Sequence, residues 1–372
     1  MKSFGFGRLT SSKQKLKASD LVPVSKLGKT RGDDGFYYVD IAQKPIEIGG
    51  IARPEDNYGE YYRLDASKKA DYSDANRGLA ANTSGACVRF ATNAEEISLR
   101  VTIRAGCFGM HHFCDRGVYG VDAYIGTGSL RRYVGGQMQT FADSRDVNAG
   151  TLSLGKGVKE VMVNMPLYAG ISKMEIGFKK GARVGAPTVR DFKPVAFYGS
   201  SITQGGCVSR PGNSYSNIIC RALNADCRNF GFSGSAMGEP AVAEYIAKCD
   251  LSCFVMDYDY NAPSVEHLKA THEKFFKIIR KAQPDLPVVF VTHPFYTEKP
   301  TEGDLARIAA VRETYEKALA SGDKNVYFVD SRDYFAKDMR DLYAVDNLHP
   351  NDLGQMEMAK TVFPAVKKAL NK

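Results

Sequence analysis

The chain has 372 residues, of which 44% are hydrophobic and 25% are charged, and its formal net charge is +8. This is the ordinary balance of a folded globular protein, so the disordered and fibrous classes are excluded. The length exceeds the roughly 250–300 residues at which a single core stops growing, so two domains are expected. The basic residues are scattered, with no run of five like charges, and we therefore predict no nucleic-acid partner.

No stretch of the sequence approaches the roughly 18 consecutive apolar residues of a membrane-spanning helix, and the opening residues lack the apolar core of a signal peptide. We therefore expect a cytoplasmic protein with no membrane partner. The eight cysteines lie at irregular spacings without a Cys-x-x-Cys pair, which excludes the common zinc-knuckle and redox motifs. We expect most of them to be reduced residues of the core.

Residues 1–185 alternate apolar and polar side chains in short runs that are separated by glycine-rich turns. Such runs are typical of antiparallel strands. They occupy residues 85–91, 97–103, 120–125 and 159–165. The pattern predicts an N-terminal β-sandwich domain over residues 1–185.

Tyrosines concentrate in this first domain, at residues 35–38 and 51–62. They either pack at a seam between domains or lie against sugar rings. The chain contains no tryptophan, which argues against a broad aromatic platform for a long polysaccharide. A short oligosaccharide or a small-molecule ester is therefore the better candidate ligand.

Residues 186–372 have a different pattern, in which apolar strands alternate with segments of helical period. The candidate strands are residues 194–198, 227–231, 252–257, 287–292 and 325–330. Alternation of this kind predicts a parallel sheet covered by helices, the α/β class. A closing helix is predicted over residues 351–370.

A serine follows the first of these strands, in the sequence Gly199-Ser200-Ser201. Further along the chain, Asp346 and His349 lie three residues apart, just before the closing helix. A serine hydroxyl is a poor nucleophile at neutral pH, so it needs an imidazole as base, and the imidazole needs a carboxylate to orient it. We predict a catalytic triad of Asp346, His349 and one of the two adjacent serines, Ser200 or Ser201.

These residues belong to four short blocks through which residues 194–370 resemble the SGNH (GDSL-type) hydrolase family. The first block is the turn at Ser201, where Ser200 replaces the family's usual aspartate, and the fourth contains Asp346 and His349. The second block resembles residues 229–236. The third, at residues 257–262, lacks its usual glycine.

The resemblance implies a flavodoxin-like domain with a five-stranded parallel sheet. It also implies that Ser201 is the nucleophile. The oxyanion hole would then consist of the backbone N–H groups of Ser201 and Gly234 and the side-chain amide of Asn261.

Other histidines have less specific settings. His293 follows the fourth predicted strand, on the same edge as Ser201, so we expect it to line the substrate cleft, and it is the rival base. His267 lies on a predicted helix, where packing or exposure is expected. His111 and His112 lie in an irregular loop of the first domain, where a metal would need further ligands that the sequence does not identify. No metal and no cofactor are predicted.

The first domain resembles, by pattern alone, the jelly-roll module that precedes the catalytic domain in some two-domain SGNH proteins, including carbohydrate esterases. The resemblance implies a serine esterase that removes a small acyl group, first of all acetate, from a carbohydrate hydroxyl. A lipase or thioesterase is the nearest alternative, although the loops at residues 210–213 and 263–266 are short and polar. A carbohydrate-binding protein with a decayed hydrolase site is the alternative from another class. A homo-oligomer is compatible with the sequence.

Overall fold

A computed structural model describes residues 16–104, 110–137, 148–297, 299–336 and 339–370. Two antiparallel sheets precede residue 186 and a parallel sheet follows it. The first part of the predicted domain 1–185, residues 1–15, lies outside the described residues. The boundary at 185/186 stays a prediction.

The antiparallel sheets contain both long strands and very short edge strands. They are β1 (Val22–Pro23), β2 (Thr30–Arg31), β3 (Tyr37–Asp40), β4 (Glu47–Gly49), β5 (Cys87–Thr92), β6 (Glu96–Ile103), β7 (Val121–Ile125), β8 (Arg132–Gln137), β9 (Asn148–Ser153), β10 (Lys159–Asn164), β11 (Ile171–Phe178) and β12 (Arg183–Gly185). One sheet has the order β1-β12-β5-β10-β7-β8, with β4 paired to β5, and the other has the order β2-β3-β11-β6-β9.

The two sheets share one buried core. Val88 and Phe90 of the first sheet pack in the same cluster as Leu99 and Ile176 of the second. Alternate residues of a strand point to one face, so the period-two pattern of the sequence supplies each sheet with an apolar inner face. The predicted β-sandwich is confirmed, and its jelly-roll path stays a prediction.

The parallel sheet contains the five predicted strands, each within two residues of its predicted bounds. They are β13 (Val195–Gly199), β14 (Cys227–Gly231), β15 (Cys253–Asp257), β16 (Val288–Val291) and β17 (Val326–Val329). Their order is β14-β13-β15-β16-β17, and every neighbouring pair is parallel. This is the flavodoxin-like order, in which ligands bind beyond the carboxyl ends of the strands beside the first strand.

The described helices differ widely in length. The α-helices are α1 (Asp74–Leu79), α2 (Asp115–Val118), α3 (Ser201–Gln204), α4 (Tyr215–Leu223), α5 (Pro240–Ile246), α6 (Val265–Ala282), α7 (Glu302–Ala320) and α8 (Asp352–Leu370). Short 3-10 helices span Ala18–Asp20, Val24–Lys26, Pro54–Asp56, Ala66–Asp71, Gly128–Leu130, Pro211–Asn213, Asp259–Asn261, Ser331–Asp333 and Arg340–Tyr343. In the described part of the chain, no helix combines the length and the apolar character that a membrane crossing requires.

Front-domain side chains hold the main chain of the parallel-sheet domain at its carboxyl edge. Arg63 is buried and donates to the carbonyl groups of Asn229 (2.9 Å) and Gly231 (2.7 Å), at the end of β14. Tyr168 donates its hydroxyl to the carbonyl of Ser201 (2.9 Å). The front domain therefore forms a wall of the region in which the predicted nucleophile lies.

The front-domain tyrosines divide between packing and exposure. Tyr61 and Tyr62 are buried, and Tyr62 joins the core that packs against the parallel sheet. Tyr58 is 76% exposed. Packing at the seam therefore accounts for Tyr62, whereas Tyr58 is free to meet a ligand.

Candidate active site

The turn after β13 presents Ser201 at the edge of the parallel sheet. Gly199 ends the strand, and a Cβ at this position would collide with Thr203 and with the carbonyl oxygen of Asp257. Ser200 then caps α3, because its hydroxyl accepts a hydrogen bond from the backbone N–H of Ile202 (3.2 Å). Ser200 is thereby committed to the helix cap, and Ser201 is left as the first residue of α3.

The structure brings the three predicted triad side chains together. Ser201 Oγ lies 2.8 Å from His349 Nε2, and His349 Nδ1 lies 2.8 Å from Asp346 Oδ2. This is the order of contacts that transfers a proton from a serine hydroxyl to an imidazole whose other nitrogen is held by a carboxylate. Ser201 and His349 are 8% and 7% exposed, so the reacting groups are shielded from bulk water.

The short sequence between Asp346 and His349 builds half of this arrangement locally. The Asp346 Oδ1 atom accepts hydrogen bonds from the backbone N–H groups of His349 (2.7 Å) and Leu348 (3.1 Å). Asn347 makes this turn with φ of +61°, a left-handed conformation that asparagine tolerates better than most residues. The carboxylate is fixed by the main chain and is thereby aimed at the imidazole.

The Asp346 carboxyl group is held in its ionised form. Burial favours the neutral acid, but the hydrogen bonds from the His349 ring and from the two backbone N–H groups outweigh burial, so the pKa of Asp346 is lowered. An ionised Asp346 can stabilise the imidazolium that forms when His349 accepts the serine proton.

Two of the predicted oxyanion donors, Gly234 and Asn261, follow β14 and β15, the strands on either side of β13. Gly234 is exposed, adopts a φ of +66° and faces open space. Asn261 donates one N–H of its side-chain amide to the carbonyl of Phe232 (3.0 Å), which leaves its second N–H for another acceptor. The backbone N–H of Ser201 lies in the first turn of α3, where N–H groups have no partner within the helix. The oxyanion hole stays a prediction.

His293 does not contact the triad side chains but lies between two carboxylates. Its Nδ1 is 2.8 Å from Asp259 and its Nε2 is 3.0 Å from Asp304. Burial lowers the pKa of His293, but the two carboxylates outweigh burial and raise it to about 9. Both ring nitrogens are occupied and the ring is only 2% exposed. A protonated imidazole cannot act as a base, and substrate contact by His293 stays a prediction.

Front-domain residues that the sequence did not connect with the triad pack against its histidine. The ring of His112 lies 5.0 Å from that of His349, and the ring of Phe113 lies 5.8 Å from it. His112 Nε2 is also 3.7 Å from Asp346 Oδ2. The pair His111 and His112 was visible as a motif, but no feature of the sequence indicated which part of the second domain it would meet.

Asp257 is a buried carboxyl group beneath the nucleophile turn, at the end of β15. Its Oδ2 accepts hydrogen bonds from Thr203 (2.9 Å) and Tyr215 (2.7 Å). Burial, with the nearby negative charge of Asp259, raises the pKa of Asp257 to about 8. The folded protein therefore holds a proton on this group at neutral pH.

We expect Asp257 to contribute a loss of stability as pH rises from about 4 to 8, because unfolding in this range releases the Asp257 proton. The slope from one such group is at most about 1.4 kcal/mol per pH unit. Asp257→Asn keeps the accepting oxygen but cannot ionise, so its melting temperature relative to that of the wild type should rise as pH rises. Thermal unfolding from pH 5 to pH 8 measures the difference.

The control for this measurement is Asp250→Asn, which changes an exposed aspartate that pairs with Lys193. Asp250→Asn should follow the wild-type pH profile. Equal pH slopes for Asp257→Asn and the wild type would show that Asp257 is ionised at neutral pH.

Comparison with known proteins agrees with this fold. A flavodoxin-like sheet with a serine after its first strand and an Asp-x-x-His sequence before its last helix resembles the arrangement of the SGNH-type hydrolases. Residues 192–367 match the GDSL-like lipase/acylhydrolase family, and residues 36–184 match the N-terminus of SGNH-hydrolase-type esterases. Both parts of the chain thus match models of SGNH-type esterases, and the protein is a carboxylic ester hydrolase.

Several solved structures share the fold over both domains. A protein described as a GDSL-like lipase, from Bacteroides ovatus ATCC 8483, is 26% identical, with a TM-score of 0.79 over 90% of this chain and 98% of its own. The salicylyl-acyltransferase SsfX3 of a tetracycline biosynthetic pathway is 16% identical, with a TM-score of 0.71 over 91% and 98%. The acetyl xylan esterase Est2A of the rumen bacterium Butyrivibrio proteoclasticus is 14% identical, with a TM-score of 0.54 over 90% and 99%. No curated protein sequence matches the chain.

Proposed function

We propose that the protein is a serine esterase that hydrolyses small acyl esters of carbohydrates, first of all O-acetyl esters. The observation that carries this proposal is the pair of 2.8 Å contacts that joins Ser201 to His349 and His349 to Asp346. A side-chain cluster with only a packing role would not need a hydroxyl, an imidazole and an ionised carboxylate in this order.

In the proposed reaction, Ser201 Oγ attacks the ester carbonyl carbon while its proton passes to His349 Nε2. The negative charge that develops on the carbonyl oxygen is stabilised by the N–H groups of Ser201, Gly234 and Asn261. The intermediate then collapses, the bond to the sugar oxygen breaks, and His349 returns its proton to that oxygen. Water attacks the acyl-enzyme by the same route, which releases the acid and restores Ser201.

The surroundings of the triad favour a small acyl group. His112 and Phe113 cover one side of the catalytic imidazole, and Tyr168 fixes the main chain of the nucleophile from the same domain. The low exposure of Ser201 and His349, 8% and 7%, favours acetate over a long acyl chain. A carbohydrate as the alcohol component is supported by the acetyl xylan esterase, whose likeness to this chain extends over both domains.

Hydrolysis of p-nitrophenyl esters from acetate to octanoate, together with acetylated xylo- and manno-oligosaccharides, tests the proposal. We expect kcat/KM to be highest for acetate and to fall as the acyl chain lengthens, since Ser201 is only 8% exposed. Release of acetate from the oligosaccharides identifies the alcohol component.

Two other outcomes of this series would overturn the proposal. A preference for octanoate would assign the protein to the lipases or thioesterases. No turnover of any ester would favour a carbohydrate-binding protein with a decayed site.

A further inference from the structure

Three metal-ligating side chains meet beside the proposed catalytic centre. One potential ligand atom from each of His112, Cys207 and His349 lies within 4.8 Å of the other two. The residues come from three separate segments: the front-domain loop before α2, the turn after α3 and the triad loop. The front domain and the hydrolase domain thus both contribute to the cluster.

Two features show that this cluster is a defined arrangement. Cys207 adopts a φ of +66°, which is unusual for a residue with a side chain, and its Sγ lies 3.5 Å from the carbonyl oxygen of His112. His112 Nε2 is buried and has no hydrogen-bond partner among the described residues, since Asp346 Oδ2 at 3.7 Å is beyond hydrogen-bond distance. A buried ring nitrogen is rarely left without a partner, so His112 Nε2 is available to bind a ligand.

The ligand types point to zinc or a similar soft divalent cation. Zn²⁺ prefers imidazole nitrogen and thiolate sulfur, with bonds of about 2.0–2.1 Å and 2.3 Å. In a tetrahedron with these bond lengths, the ligand atoms lie about 3.3–3.6 Å apart. Side-chain rotations that move the ligand atoms by about 1 Å would bring them from within 4.8 Å of one another to these tetrahedral distances. Water or Asp346 would complete the coordination.

We propose that His112, Cys207 and His349 form a site for Zn²⁺ and that occupation of the site inhibits the esterase. Binding forms a Zn–S bond as the Cys207 thiol releases its proton to solvent. A metal bound to His349 Nε2 would prevent that nitrogen from accepting the Ser201 proton. A metal bound to Nδ1 would break the hydrogen bond between His349 and Asp346. Inhibition rests on the proposed function, whereas metal binding does not.

Titration of the chelator-treated protein with Co²⁺ tests binding without reference to activity. Wild-type protein should bind one Co²⁺ and show the near-ultraviolet charge-transfer band of a cobalt–thiolate bond. Cys207→Ser should lose that band. His112→Gln should raise the dissociation constant for Co²⁺ by about 10- to 100-fold or more, because a loss of that size already follows when a residue that only contacts a metal ligand is changed. Cys114→Ser removes an exposed thiol from a neighbouring turn and should retain the band.

Inhibition by Zn²⁺ is then measured for each variant against its own metal-free rate. The zinc concentration that halves activity should rise by the same factor as the dissociation constant in Cys207→Ser and His112→Gln, and stay at the wild-type value in Cys114→Ser. Absence of the band in wild type, or its loss in Cys114→Ser, would overturn the site. The band without inhibition would overturn only the inhibitory role. Wild-type protein that binds cobalt but hydrolyses no ester would contradict the proposed function without contradicting the metal site.

Discussion

Replacement of Ser201 by alanine is expected to lower kcat for ester hydrolysis by about 10⁴–10⁶-fold and to leave the fold intact. In the proposed mechanism the hydroxyl oxygen of Ser201 forms the acyl-enzyme, and among the described residues it pairs with the side chain of His349. Loss of a serine nucleophile typically removes nearly all triad catalysis, with a residual rate from binding and the oxyanion donors. Burst and steady-state kinetics of p-nitrophenyl acetate, with circular dichroism as the check of folding, measure the effect.

Ser200→Ala is the matched control because it removes the adjacent hydroxyl. The change costs about 1 kcal/mol of stability through the lost helix cap, and kcat should stay within about 10-fold of the wild type. If Ser200→Ala were inactive and Ser201→Ala active, the nucleophile would be Ser200. If both variants retained full activity, ester hydrolysis would not use this turn.

The sequence was sufficient for the parts of the fold that depend on local pattern. Four of the five parallel strands were predictable because they are mostly apolar runs between turns, whereas β14 contains Arg228 and Asn229 and was predictable from its place between helical segments. The strands at β5, β6, β7 and β10 were predictable from short runs that alternate apolar and polar residues. The proximity of Ser201 and His349, 148 positions apart, was predictable because the carboxyl ends of parallel strands share one edge and the fourth block precedes the last helix.

The contacts between the two domains could not be predicted from the sequence. His112 packs on His349 and Tyr168 bonds the main chain of Ser201, but neither residue has a periodic or spacing relation to its partner. His293 shows a related limit: its position after β16 was predictable, whereas its capture by Asp259 and Asp304 depends on side-chain geometry. Strand-end position identifies candidates for a site, and the neighbouring charges decide which of them can act as a base.

We expect His349→Ala to lower kcat by about 10⁴–10⁶-fold and Asp346→Asn to lower it by about 10⁴-fold. The second change is nearly isosteric, and the backbone N–H groups of Leu348 and His349 will keep an oxygen at the Oδ1 position. The amide NH₂ must then replace Oδ2 and donate to His349 Nδ1. The imidazole proton moves to Nε2, which can no longer accept the serine proton. Steady-state kinetics from pH 5 to pH 9 measure both losses.

His293→Ala serves as the control histidine, with rates normalised to the folded fraction because the change leaves Asp259 and Asp304 without their shared cation. It should lower kcat far less than His349→Ala does, since both ring nitrogens of His293 are protonated in the folded protein at neutral pH and neither can accept the serine proton. The reverse ranking would make His293 the base. An Asp346→Asn enzyme with more than about a tenth of wild-type kcat would show that His349 keeps its tautomer without the carboxylate, and the proposed mechanism would then rest on a serine–histidine pair alone.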